Sequence, residues 1–251
     1  MVIKGVGIGR GVAVGPVIRM AAALPEPSDA PRADSVSAES EIERVTKSLA
    51  LVNADLNRRA EEAANGDEGA KQAAPILQAI AMFASDPALA QSINTLIEQG
   101  KTAERAVLEG FGAVEEMFKA IGGYQGERAA DLHDVGQRVI ADLMGVPAPG
   151  VPVSDTPFVL VAEDLSPADT AGLDLDKTLA IVTSQGGPTS HTAILARARG
   201  IVAVVSAAGA DDLKNGETVI VNAAESTITT EPSDEQVAAA EAAKAKAAKA
   251  K

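Results

Sequence analysis

The stretch TLAIVTSQGGPTSHTAILARARGIVAVVS, residues 178–206, decides the fold. It contains an apolar, β-branched run, a pair of glycines, a helix-forming run that ends at Gly200, and a second β-branched run. This order is typical of a strand–helix–strand unit in a parallel sheet. Before it, PFVLVAE (157–163) predicts another strand, and SPADTAGL (166–173) predicts a short helix capped by Ser166.

Segments near both ends of the chain complete the predicted sheet. ETVIVNA (217–223) and STITTE (226–231) predict a hairpin-like pair of strands. Residues 2–19 are rich in glycine and β-branched residues, which favours strands, and no GxGxxG dinucleotide loop fits their glycines. Because these first strands need a partner sheet, we expect a discontinuous α/β domain made of residues 1–22 and 152–232.

The segment between these two parts has a helical pattern. After a linker rich in Pro, Ser and Asp (24–37), apolar residues at spacings of three and four predict four amphipathic helices, the second interrupted at Asp86-Pro87. None can bury its apolar stripe alone, so residues 35–146 are expected to form a bundle. Residues 233–251 favour an exposed connecting helix. The expected fold class is α/β plus all-α, with an inserted four-helix bundle and a C-terminal linker helix.

Composition excludes several functional classes. The 251 residues include 22 Lys and Arg against 35 Asp and Glu, a formal net charge of −13 that makes nucleic acid an unexpected partner. Cysteine is absent and histidine occurs only twice, which excludes disulfides and thiol catalysis and argues against a metal centre. No run of about 18 apolar residues is present, so we expect a cytoplasmic protein without membrane insertion.

The Gly186-Gly187 loop is the strongest candidate for a functional site. It leads from the carboxyl end of a predicted strand into a helix that Thr189 or Ser190 can cap. Ligands collect at this position in α/β sheets, because the N–H groups of the first helical turn point outward with a partial positive charge. His191 falls in or beside that turn. The site therefore suits an anionic group.

His191 has chemistry that fits such a site. A helix N-terminus disfavours imidazolium, and the neutral ring has a nitrogen that can accept a phosphoryl group. Backbone N–H groups and the hydroxyls of Thr189, Ser190 and Thr192 could then bind the phosphoryl oxygens. The alternative is that His191 merely supplements the helix cap. A Ser-His-Asp hydrolase is weakly indicated, since no GxSxG elbow is present.

The same segment resembles a known family. GGPTSHTAILARARGIVAVV (186–205) resembles the phosphohistidine signature of the phosphoenolpyruvate-utilising enzymes, which include Enzyme I of the bacterial sugar phosphotransferase system and the pyruvate phosphate dikinases. ERAADLHDVGQR (127–138), VAEDLSPADTAGLD (161–174) and GRGVAVG (9–15) are similar to the Enzyme I branch. The inserted bundle also favours that branch.

The resemblance implies a phosphotransferase that works through a phosphohistidine. His191 would carry the phosphoryl group, and Thr170 would hydrogen-bond its imidazole. The backbone at Gly187 and the hydroxyls of Thr189, Ser190 and Thr192 stay the expected partners of the phosphoryl oxygens, from the helix N-terminus and not from the resemblance. The phosphoryl group would pass reversibly to the phosphocarrier protein HPr. Two alternatives stay open, the swivelling domain of a dikinase-like enzyme and a non-catalytic interaction module.

The resemblance also places HPr on the inserted bundle. HPr would dock on residues 70–98 and the start of 127–145, with Met82, Phe83 and Arg128 at matching positions. The segment APILQAIAMFASDPAL (74–89) departs from the family because it lacks the expected acidic and histidine residues. Core packing is an equally open interpretation for Met82 and for Phe83. The other histidine, His133, is expected on a solvated helix face.

A further domain is implied by the resemblance and has no counterpart here. Enzyme I has a carboxyl-terminal barrel that binds phosphoenolpyruvate and magnesium and mediates dimerisation. We therefore expect the chain to be a monomeric amino-terminal half without a cofactor of its own. It would exchange phosphoryl groups with HPr and need the phosphoenolpyruvate-binding domain as a second partner.

Overall fold

The chain forms two compact units. In the computed structural model, the described residues are 1–21, 23–66, 68–152, 154–165 and 173–249, and only the backbone is described for residues 68–70, 72–73, 191 and 247–249. Met1–Ala22 and Gly150–Lys251 form one unit, called the α/β unit below. Ala23–Pro149 form the other, the helical unit. The expected fold class, a mixed α/β sheet with an inserted helical region and a C-terminal helix, is confirmed.

The described residues of the α/β unit contain one eight-stranded mixed sheet. Its strands are β1 (Val2–Lys4), β2 (Val6–Ile8), β3 (Val12–Arg19), β4 (Phe158–Ala162), β5 (Thr178–Thr183), β6 (Val202–Val205), β7 (Thr218–Asn222) and β8 (Thr227–Thr230). Their order is β1-β8-β7-β3-β4-β5-β6-β2. Strands β3 to β6 are parallel, and the remaining pairs are antiparallel. The predicted β7–β8 hairpin and the pairing of the amino-terminal strands with this sheet are both present.

The central strands are covered on both faces. In β4, Val159 and Val161 belong to one apolar cluster, while Phe158 and Leu160 belong to another. Such burial on both faces is typical of parallel strands and explains their nearly continuous apolar sequences. Two helices complete the described part of this unit, α6 (His191–Arg199) and α7 (Asp234–Lys249). The short helix predicted at 166–173 falls almost entirely outside the described residues.

The helical unit contains five helices within its described residues, where the sequence predicted four. They are α1 (Ala38–Ala64), α2 (Glu68–Ala84), α3 (Pro87–Glu98), α4 (Ala103–Ile121) and α5 (Gly123–Met144). The prediction of one interrupted helix was wrong because Asp86 starts a new one. Its carboxylate accepts the N–H groups of Ala88 and Leu89 at 2.8 and 3.4 Å, and Pro87 occupies the first helical position.

The apolar stripes of these helices meet in one core. Val45 of α1, Ile93 of α3, Phe111 of α4 and Val139 of α5 are all buried there. Gly136 of α5 lies against the Phe111 ring, where a Cβ would come within 3.1 Å. None of the helices in the described part of the chain combines the length and apolar character that a membrane span requires.

Candidate functional site

The parallel strands end at one edge of the sheet, where the candidate residues gather. Asp164 follows β4, Gly186 follows β5, and Ser206 follows β6 directly. A Cβ built on Gly186 would lie 3.4 Å from the Asp164 carboxylate, and the Ser206 hydroxyl donates a hydrogen bond to the Gly186 carbonyl. The carboxyl edge of the parallel strands thus brings together three segments that are far apart in the sequence.

The two glycines of the loop differ in what the fold requires of them. Gly186 has a φ of +81°, a left-handed conformation that favours glycine. Gly187 has no positive φ, and no atom of the described residues, apart from its two chain neighbours, lies within 4 Å of a Cβ built on it. The fold therefore accounts for the glycine at 186 but not for the glycine at 187. The open space beside Gly187 allows an incoming group to approach the backbone.

Every carbonyl group of the loop from residue 185 to 188 accepts a hydrogen bond. The Thr183 hydroxyl donates to Gln185 O at 2.8 Å, and the Ser190 N–H donates to Gly187 O at 3.0 Å. Arg197 donates from its guanidinium to Pro188 O at 2.5 Å. Together with the Ser206 contact to Gly186 O, these bonds fix the orientation of successive peptide groups.

Helix α6 begins directly after this loop. Ser190 is its N-cap, with its hydroxyl accepting the Ala193 N–H at 3.3 Å, so the cap is Ser190 rather than Thr189. His191 is the first helical residue, which places its backbone in the first turn as predicted. Its side chain is not among those described. At the other end, Gly200 closes the helix with a φ of +65°.

The hydroxyls expected around the phosphoryl group lie in different environments. Thr189 is exposed and Ser190 is half-buried, so both are open to a ligand. Thr192 is fully buried, and its hydroxyl donates to the Asp164 carboxylate at 3.4 Å. Asp164 also accepts the N–H of Leu165 at 2.8 Å. Thr192 therefore connects α6 to the loop after β4.

Sequence motifs and the structure do not single out the same residues around the Gly186-Gly187 loop. Thr170, predicted to contact the imidazole, lies outside the described residues. Asp164 and Ser206 were not singled out in the sequence, although Asp164 directly after one predicted strand and Ser206 at the end of another were available signals. Arg197 lies in the last turn of α6, where a cation is favoured without any function. The structure adds its bond to the Pro188 carbonyl.

The residues predicted to contact HPr lie in the helical unit. The guanidinium of Arg128 lies over the ring of Phe83, 5.1 Å from its centroid, and 5.7 Å from the centroid of Tyr124. Phe83 is half-buried and also packs edge-on against Phe118 at 6.1 Å. Met82 is 69% exposed and is not part of the core. Core packing thus accounts for Phe83 and does not account for Met82.

A shallow pocket of about 280 Å³ adjoins Arg128. We call it the Arg128 pocket; its lining residues are Pro75, Ile76, Ala79, Tyr124, Glu127, Arg128 and Asp131. Ile76 and Tyr124 are large apolar side chains that remain 59% and 72% exposed. Arg128 pairs with Asp131 at 3.2 Å. Burial raises the pKa of the Asp131 carboxyl above its ordinary value, although the neighbouring Arg128 charge acts in the opposite direction.

The second histidine is a surface residue of the helical unit. His133 is 60% exposed in its side chain, and its Nδ1 lies 3.0 Å from the Glu115 carboxylate. Among the described side chains, no group of three or more His, Cys, Asp or Glu residues is arranged to hold a metal ion.

Known proteins with similar sequences agree on one family. The family described as "PEP-utilising enzyme, N-terminal" matches residues 4–128, and "PEP-utilising enzyme, mobile domain" matches residues 155–226. The phosphoenolpyruvate-protein phosphotransferase of Streptomyces coelicolor is 45% identical over 98% of this chain and 43% of its own length. The corresponding enzyme of Bacillus subtilis is 34% identical over 94% of this chain and 41% of its own length. The chain thus spans about two fifths of these relatives.

Solved structures show the same similarity in three dimensions. An NMR solution structure of Enzyme I (nEIt) has a TM-score of 0.72 at 30% identity, covering 97% of this chain and 98% of that one. The N-terminal domain of Enzyme 1 - Nitrogen has a TM-score of 0.60 at 26% identity, with 96% and 98% covered. The chain therefore belongs to the phosphoenolpyruvate-utilising enzymes, as a homologue of the amino-terminal region of Enzyme I.

Proposed function

We propose that the chain accepts a phosphoryl group on His191 from the phosphocarrier protein HPr, and returns it reversibly, within the sugar phosphotransferase system. One observation carries this proposal: His191 opens a capped helix directly after an open Gly-Gly loop at the carboxyl edge of a parallel sheet. Such an edge favours anionic ligands because free N–H groups and the helix dipole meet there. The similarity to phosphoenolpyruvate-protein phosphotransferases supports the same reaction.

The chemistry needs a neutral imidazole with a free lone pair. As that lone pair forms a nitrogen–phosphorus bond on His191, the bond from phosphorus to its donor atom on HPr breaks and leaves its electron pair on the donor. The positive end of α6 disfavours a protonated ring before transfer and stabilises the phosphoryl oxygens after it.

Short polar groups of the loop would hold the phosphoryl oxygens. Thr189 and Ser190 directly precede His191 in the sequence, and within the described part of the chain the backbone of Gly187 faces open space. The burial of Thr192 and its bond to Asp164 favour a supporting role, in which it holds the loops that surround the site. The proposed contact of Thr170 with the imidazole rests on the family resemblance.

HPr would dock on the helical unit through the Arg128 pocket and the neighbouring Met82. Exposed Ile76, Met82 and Tyr124 offer apolar area, and Arg128 offers a cation whose ion pair is partly open to solvent. Interfaces commonly use this combination, because aromatic, Met and Arg side chains are enriched in them. Phosphoenolpyruvate would enter the scheme through a separate domain that binds it together with magnesium.

Incubation with phosphorylated HPr followed by intact-mass measurement tests the function. The parental chain should gain one phosphoryl group that is lost in acid, while His191→Ala should gain none. His133→Ala is the matched control, since it removes the other histidine and should be labelled as the parent is. Labelling of His191→Ala at the parental level would overturn the assignment.

A further inference from the structure

Ser206 has a backbone conformation that serine seldom adopts. Its φ is +54°, in the left-handed region where glycine is favoured. Ser206 comes directly after β6, at the edge of the sheet where the Gly186-Gly187 loop lies. A glycine would satisfy the backbone here without strain, so the presence of a side chain needs a reason.

The contacts of Ser206 supply that reason. Its hydroxyl donates to the Gly186 carbonyl, and its N–H donates to the Gln185 carbonyl at 3.4 Å. The next residue, Ala207, donates its N–H to Thr183 O at 2.9 Å. These three hydrogen bonds join the segment after β6 to the segment after β5. Of the three, the bond of the Ser206 hydroxyl is the one that reaches a glycine of the loop.

Holding the Gly186 carbonyl fixes the N–H of the next residue. A trans peptide group is planar, so the Gly186 C=O and the Gly187 N–H point in opposite directions. Among the described residues, no acceptor is bound to the Gly187 N–H, and the space beside Gly187 is open. This N–H is therefore held in place by Ser206 while remaining free to donate.

We propose that Ser206 is a positioning residue for phosphoryl transfer, whose hydroxyl holds the Gly186–Gly187 peptide so that the Gly187 N–H donates to an oxygen of the phosphoryl group. The proposal rests on the function proposed above for His191. A donor fixed before the reaction stabilises the charge of the transferring group without having to reorient. Arg197 fixes the Pro188 carbonyl, and hence the Thr189 N–H, in the same manner.

Replacing Ser206 with glycine distinguishes a positioning role in phosphoryl transfer from a contribution of Ser206 to the stability of the fold. Ser206→Gly removes the hydroxyl and relieves the left-handed φ, so the melting temperature should not fall. Ser226→Gly is the matched control. Ser226 has a φ of +57°, and its hydroxyl accepts the Gly7 N–H at 2.9 Å in a part of the sheet outside the loop.

The rate of transfer from phosphorylated HPr is measured over a range of HPr concentrations for the parent and both variants. Ser206→Gly should lower the maximal rate about ten- to hundredfold, less than the complete loss of an oxyanion donor, and leave the half-saturating concentration unchanged. Ser226→Gly should match the parent in both quantities. A parental rate in Ser206→Gly would overturn the positioning role alone, whereas a parent that is never labelled would overturn the proposed function as well.

The hydrogen bond itself has a separate readout in the unphosphorylated protein. The ¹³C resonance of the Gly186 carbonyl reports whether that carbonyl accepts a hydrogen bond. It should shift in Ser206→Gly and stay in place in Ser226→Gly. An unchanged Gly186 resonance in Ser206→Gly would overturn the proposal whatever the transfer rates are.

Discussion

The candidate phosphoryl site and the candidate docking site of this chain are formed by different parts of the polypeptide. The site in the α/β unit consists of loop peptides, short hydroxyls and strand ends, fixed by bonds such as Arg197 to Pro188 O. The Arg128 pocket consists of long side chains exposed on regular helices. A backbone site tolerates few residue types, because each position has a set conformation or contact. An exposed helix surface accepts many different side chains without loss of the helix, so its specificity for a partner protein can change.

This contrast predicts that the largest loss of transfer comes from a small change in the loop. Gly187→Ala places a methyl group beside the loop where we propose that the phosphoryl group enters, and no described atom beyond the two chain neighbours would lie within 4 Å of it. We expect transfer about a hundredfold slower, the typical result of a displaced reacting group, with a melting temperature that does not fall. Stopped-flow transfer assays and thermal unfolding measure the two quantities.

Gly112→Ala is the control for that experiment. Gly112 lies inside α4 and also has open space around a built Cβ, so alanine there should raise the stability by about 0.5–1 kcal/mol and leave transfer unchanged. Equal transfer rates in Gly187→Ala and the parent would show that the loop backbone does not receive the phosphoryl group.

The next largest effect is expected on the helix surface and concerns binding rather than chemistry. Arg128→Ala removes the cation stacked on Phe83 and Tyr124, and should weaken HPr binding about tenfold, or about 1.4 kcal/mol. Isothermal titration calorimetry measures it. Arg138→Ala is the control on the same helix, since Arg138 pairs with Asp134 at 2.8 Å as Arg128 pairs with Asp131. The docking assignment fails if both variants lose the same affinity.

The smallest effect compares two serine N-caps. Ser37 caps α1 by accepting the Ser40 N–H at 3.1 Å, and Ser190 caps α6 by accepting the Ala193 N–H at 3.3 Å. Either serine to alanine should cost about 1 kcal/mol of stability, measured by denaturant unfolding. Only Ser190→Ala should also slow transfer, by a few-fold. Slower transfer in Ser37→Ala would mean that stability, and not the site, controls the rate.

The sequence was most informative where local patterns determine the structure. The run from Thr178 to Ser206 predicted strand, loop and helix because its apolar runs, its glycines and its cap all act over short distances. The sequence also showed an interruption at Asp86-Pro87. That a separate helix, α3, begins there depends on the hydrogen bonds with which the Asp86 carboxylate caps it.

Contacts across the sheet could not be predicted in the same way. The bond between Ser206 and Gly186 and the approach of Asp164 to the loop depend on the strand order, which brings β4, β5 and β6 side by side. The stacking of Arg128 on Phe83 depends on how α2 and α5 pack. Such contacts depend on tertiary packing, and no spacing within a single segment reveals them.

HPr is proposed to dock on the helical unit of this chain and to phosphorylate His191 in the α/β unit. Titration of ¹⁵N-labelled His191→Ala with HPr, followed by amide chemical shifts, tests it most directly because docking is observed without transfer. We expect the largest shifts in α2 and at the start of α5, around Met82, Tyr124 and Arg128, with an affinity equal to that of the parent. Shifts confined to residues 150–230, with α2 and α5 unmoved, would contradict it.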